Sequence, residues 1–143
     1  MEVENRPVSY NMKFVWMICV VAAMGGLLFG YDWVVVGGAK AFYEPYFGIT
    51  DEMPLERGVA MSSALFGCII GAVVSGMLAD KLGRKRLLIS SGLLFTISAI
   101  GTGLSWSFLS YNIARIIGGI GIGLASNLSP MYIAEISPAA MRG

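Results

Sequence analysis

Asp32 and Arg115 are the two residues of this chain whose chemistry most demands an explanation. Each lies in an apolar run, Asp32 in F-G-Y-D-W-V-V-V-G-G-A and Arg115 in R-I-I-G-G-I-G-I-G-L-A-S. Holding a charge inside a membrane span is expensive, so such a residue marks a functional site by default. The two have opposite sign, and pairing is the least costly way to keep both in place. A carboxylate beside a cation in a dry site feels desolvation and attraction in opposition, so a small rearrangement can load or release its proton. Proton-coupled carriage needs that chemistry. Two plainer readings stand beside it: a purely structural ion pair, or an Arg115 side chain that snorkels to the headgroups. The short Asp32 side chain has no comparable reach.

The elements that must position these residues are membrane spans. Of 143 residues, 56% are hydrophobic and only 13% charged, a balance foreign to soluble domains. Four apolar segments, 14–38, 59–79, 87–106 and 109–134, each approach the ~20 residues that cross a bilayer. Residues 1–13 form a polar N-terminal segment before them. Asp32 falls late in the first span and Arg115 early in the fourth. Counted from the same end of the bundle, each is roughly five or six residues deep, about 8–9 Å at 1.5 Å per residue. Gly67, Gly71, Ser75 and Ala79 recur every fourth position in the second span, and Gly119 and Gly123 do so in the fourth. Such smooth faces let helix backbones approach closely in lipid.

Lys and Arg counts set the expected orientation, because the cytoplasmic side accumulates them. Arg6, Lys13, Lys81, Arg84, Lys85, Arg86 and Arg142 fall on one side, against Lys40 and Arg57 on the other. The N-terminus and the connection 80–86 are therefore expected in the cytoplasm, and the acidic connection 39–58 outside. A cleavable signal peptide does not fit an apolar run of this length followed by three more spans. The net charge of +1 offers no polycation for nucleic acid, and the absence of His excludes His/Cys metal sites. Cys19 and Cys68 sit in apolar runs and read as packing or lipid-facing residues. No nucleophile–base set or phosphate cradle points to an enzyme, no cofactor is expected, and G-I-G-I-G has the wrong spacing for a dinucleotide fingerprint.

Two motifs carry a resemblance. Gly76 to Lys85, G-M-L-A-D-K-L-G-R-K, resembles the loop motif of the major facilitator superfamily, G-x-x-x-D-[RK]-x-G-[RK]-[RK]. Arg115 to Arg142 ends in P-M-Y-I-A-E-I-S-P-A-A-M-R and resembles the signature of the sugar porter family within it, most closely in bacterial D-xylose–proton symporters. The resemblance covers the chain apart from the first dozen residues and the 39–58 connection. It implies an all-α membrane fold, with residues 14–143 forming helices one to four of twelve, in the N-terminal half of a transporter whose substrate binds between halves.

On matching positions the resemblance implies roles. Asp32 aligns with the proposed proton site of the symporters and Arg115 with its partner; mammalian glucose facilitators carry a neutral Asn where Asp32 stands, so the acid favours symport over uniport. Phe29 matches an aromatic lining the sugar cavity. Arg84, Glu135 and Arg142 match a cytoplasmic charge network latching the two halves, to which Asp80 of the loop motif adds an acid. Lys85 departs conservatively from the arginine often found there. The expectation is a sugar and a proton as substrates, the bilayer and the remaining helices of one polypeptide as surroundings, a monomer when complete, and the inner membrane as location. Facilitative sugar uniport, carriage of a non-sugar solute, and a small four-helix subunit or scaffold are the alternatives.

Overall fold

The computed structural model describes residues 11–137, all of whose regular structure is helical. Four helices follow in order: α1 (Met12–Tyr46), α2 (Pro54–Leu82), α3 (Arg84–Gly103) and α4 (Phe108–Ile136). All four are long and apolar enough to cross a membrane. Arg142 and Pro138 lie outside the described residues.

Helix starts and stops follow local chemistry. The Asn11 side chain accepts from the Phe14 N–H and caps α1, and Ser107 does the same for α4 through Ser110. Pro54 opens α2, where its missing N–H removes a donor that would have had no partner. Gly83 ends α2 and precedes α3 with φ +83°, a conformation that admits glycine and strains any side chain.

The connection expected at 39–58 is mostly helix. The apolar run of the first span stops at Gly38, yet α1 continues to Tyr46 and α2 begins at Pro54. Hydropathy ends where lipid ends, whereas a helix ends where its backbone loses partners. Here Lys40 and Glu44 pair at i, i+4, and Tyr43 is buried against Tyr111, with ring centroids 5.3 Å apart. Lys40 and Glu44 therefore decorate the end of α1 and Glu56 and Arg57 the start of α2, while Asp51 and Glu52 stay in the turn between them.

α4 is the axis of the bundle and touches all three other helices, while α1 and α2 barely meet. Against α2 the contact is backbone on backbone. A methyl on Gly67 or Gly71 would overlap the carbonyls of Ile116 and Ile120, and one on Gly119 or Gly123 those of Ala64 and Cys68. Against α3, the Ser98 hydroxyl donates to the Ala114 carbonyl at 2.7 Å. Against α1 the close approach is one crossing, Gly25 over Ser129 and Ala125. Beyond that crossing an apolar cavity of about 540 Å³ separates Met17 and Val21 of α1 from Ile89 and Phe95 of α3. Aromatic rings of Tyr43, Phe47, Phe108 and Tyr111 close the α1–α2 end. Ala79, Leu87, Leu124 and Leu128 close the α2–α3 end.

Candidate functional site

α1 brings Asp32 to α4, where Arg115 Nη1 donates to both carboxylate oxygens at 2.7 and 2.9 Å. Arg115 is 6% exposed and the Asp32 side chain 14%, so the pair is largely withdrawn from solvent. The partners are held differently. Arg115 follows the Ala114 carbonyl that Ser98 grips, and its turn is wedged on α2 through Gly119 and Ile116. Asp32 sits on the helix with fewest contacts. The cation thus lies on the most heavily packed helix and the acid on the most lightly packed one.

Two features of the pair bear on what it could do. Arg115 Nε is buried without a hydrogen-bond partner among the described residues. The pair also lines a small cleft with Phe29 and Trp33 of α1, Met61 and Cys68 of α2, and Ile122 of α4. Phe29 lies at i−3 from Asp32, on the same face of α1. Removing one member of a buried pair leaves an uncompensated charge, at about 3–5 kcal/mol. A proton on Asp32 therefore forces a response from Arg115: a new partner or a shift of α1.

A second cluster lies at the α2–α3 end. Arg84 Nε meets Glu135 Oε1 at 2.9 Å, and Arg84 Nη2 meets Asp80 Oδ1 at 3.3 Å. Asp80, Arg84 and Glu135 are thus brought together, joining the start of α3 to the end of α4. The structure does not bring Lys85 into this group; it borders the apolar cavity instead.

Some neighbours were not foreseen from the sequence. Cys68, read as packing or lipid-facing, borders the ion-pair cleft; its position one residue from Gly67 on the smooth face of α2 is the signal that could have placed it. At the α1–α2 end, Arg57 binds Glu44 at 2.7 Å and Asp51 at 2.8 Å. Those charges were noted, but their pairing depends on helix ends that hydropathy did not reveal.

Apolar helices of spanning length around an internal ion pair define a class, the multi-pass helical membrane proteins. The comparisons narrow it. Residues 18–143 match the family model described as "Sugar (and other) transporter", and the chain belongs to that family, whose members are transporters rather than enzymes. The arabinose-proton symporter of Bacillus subtilis is 44% identical over 141 residues, 97% of this chain and 30% of its own length. The glucose transport protein of Synechocystis is 46% identical over 133 residues, 93% of this chain and 28% of its own. The major facilitator superfamily proton:xylose symporter XylE, solved with 6-bromo-6-deoxy-D-glucose bound, aligns with a TM-score of 0.84 at 38% identity, over 93% of this chain and 33% of that one. The chain spans about a third of the length of these relatives, and over that part its fold is that of a major facilitator transporter.

Proposed function

We propose that this chain is part of a sugar–proton symporter working by alternating access, and that Asp32 carries the coupled proton. The observation that carries this reading is the Asp32–Arg115 pair: a buried acid and cation, one on a lightly held helix and the other on a fixed one. The names of similar proteins, an arabinose-proton symporter and a proton:xylose symporter, support both the solute class and the coupling ion. D-xylose is the first sugar to test, with arabinose and glucose next.

With the outer side open, protonation of Asp32 loosens its hold on Arg115, and sugar entering beside Phe29 permits closure. The Arg84 cluster with Glu135 and Asp80 is the cytoplasmic latch that then opens, and the motif position of Arg142 assigns it to the same network. Sugar leaves, Asp32 releases its proton inward, and the pair re-forms. One proton crossing 100 mV supplies about 2.3 kcal/mol, enough for roughly fiftyfold accumulation of a neutral solute. The N-terminus and the α2–α3 turn lie on the cytoplasmic side of the inner membrane, a reading that the Lys and Arg asymmetry supports. The complete protein works as a monomer.

The test uses the full-length protein in proteoliposomes, with D-xylose added in the absence of any imposed gradient while external pH is recorded. Alkalinisation on sugar addition supports symport. Labelled sugar uptake without a pH change means uniport, and leaves Asp32 and Arg115 a structural pair. Absence of uptake for every sugar in a pentose and hexose panel would falsify the solute class.

A further inference from the structure

The face of α4 between α1 and α2 carries two polar residues that the ion pair does not use. Arg115, Ile122 and Ser126 fall at i, i+7 and i+11, along one stripe of the helix. The first two line the cleft beside Phe29 and Cys68. Ser126 continues the stripe away from the α1–α2 end, and Asn127 stands next to it. Both are exposed, while their neighbours Ala125 and Leu128 are buried. Along the axis they stand about 17–18 Å from Arg115 and about 12–14 Å from Glu135, well inside the span. An amide facing hydrocarbon at that depth is costly, so this face is not lipid-facing surface.

The Asn127 amide is held in a set direction. Its Nδ2 donates to the Ala72 carbonyl at 3.1 Å and to the Ser75 hydroxyl at 3.0 Å. The Ser75 hydroxyl donates its own hydrogen to Ala72 at 2.7 Å, so it meets Asn127 as an acceptor. Of the two ends of the amide, only the N–H end can bond a carbonyl, which decides which way round Asn127 sits. Oδ1 is thereby left without a bond among the described residues. An acceptor fixed from behind by two bonds is already organised for a ligand and loses little freedom on binding. A neutral polyol offers O–H donors to such an oxygen, and the Ser126 hydroxyl can both donate and accept.

We propose that Asn127 Oδ1 and the Ser126 hydroxyl form a subsite for sugar hydroxyls on the cytoplasmic side of the Asp32–Arg115 pair, met by the substrate as it leaves toward the cytosol. This assignment rests on the sugar-transport reading and its orientation. The competing role is helix glue between α2 and α4, which needs the Asn127 amide N–H groups and has no use for Oδ1.

The experiment compares sugar efflux and uptake by the full-length protein in proteoliposomes for wild type, Asn127→Ala and Ser75→Ala. Ser75→Ala removes one partner of the amide and leaves the acceptor in place. For Asn127→Ala the efflux KM is expected to rise about tenfold, the scale of one lost hydrogen bond to a ligand. Discrimination between two sugars that differ at a single hydroxyl narrows, uptake KM changes less than efflux KM, and the number of protons per sugar stays the same. If Asn127→Ala does not reach the membrane, Ser126→Ala reads the same quantities at an exposed hydroxyl. Unchanged efflux KM and sugar ranking in a folded variant overturn the subsite, and so do equal KM changes from Ser75→Ala and Asn127→Ala. Wild-type protein that moves no sugar sinks the transport reading and the subsite together; wild-type efflux with unaltered variants sinks the subsite alone.

Discussion

The two sides of α4 are built on opposite principles. Toward α2 the interface is glycine against carbonyl, with no room for a methyl at Gly67, Gly71, Gly119 or Gly123. Toward α1 it is one close crossing at Gly25, one ion pair, the Tyr43–Tyr111 ring contact near the α1–α2 end, and an apolar cavity at the other. In lipid the first kind of contact gains from dispersion over a long seam and has one good arrangement. The second depends on a charge pair whose strength changes when a proton arrives. The difference sets a tightly packed α2–α3–α4 against a more lightly packed α1, the arrangement that the proposed switch at Asp32–Arg115 requires.

Damage to the permanent side should be the most severe. Gly119→Leu drives a side chain into the Ala64 backbone, an overpacking of about 1–3 kcal/mol or more that nothing nearby relieves. The expected outcome is loss of monodisperse protein after detergent extraction, read by size-exclusion chromatography. Gly26→Ala, with open space around it, is the control and should extract normally.

Arg115→Lys comes next. An ammonium cannot reproduce the planar guanidinium with its additional Nε and Nη donors, so the change is not conservative. Folded protein is expected, with sugar accumulation down about tenfold, some 1.4 kcal/mol. Full accumulation in this variant would mean that any cation serves and that the geometry at Asp32 is unimportant.

Ser98→Ala tests whether the fixed side positions the cation. It removes the interhelix bond to the Ala114 carbonyl, worth about 1 kcal/mol. Thermal stability in detergent should fall measurably while transport falls less than in Arg115→Lys. The smallest effect is expected at the α2–α3 end. Arg84 and Glu135 are partly exposed, so Glu135→Gln should remove about 1 kcal/mol or less of latch strength. Faster opening toward the cytoplasm, read by labelling of an introduced inner-face cysteine, is the expected sign.

Much of this was legible in the sequence, and the limits have physical causes. The small-residue period in α2 announced the seam with α4 because close packing in lipid leaves few other solutions. Asp32 and Arg115 stood out because charges inside apolar runs are rare, and opposite sign at similar depth predicted their meeting. Hydropathy did not reach the helix ends past Gly38 and before Val59, since those turns are held by ion pairs and aromatic contacts outside the apolar run. Without those ends, the Arg57–Glu44 pairing could not be placed. Asn127 stayed hidden for another reason: which face of α4 is open depends on how the helices cross, which a one-dimensional period does not encode.

If the α1 side of α4 is a proton-driven switch, Asp32→Asn in the full-length protein should uncouple sugar from proton. Sugar counterflow, which needs alternating access but no net proton movement, should persist, while uphill accumulation driven by a pH gradient should disappear. Accumulation equal to wild type in the Asp32→Asn protein would remove the switch and leave the pair a structural feature of the bundle.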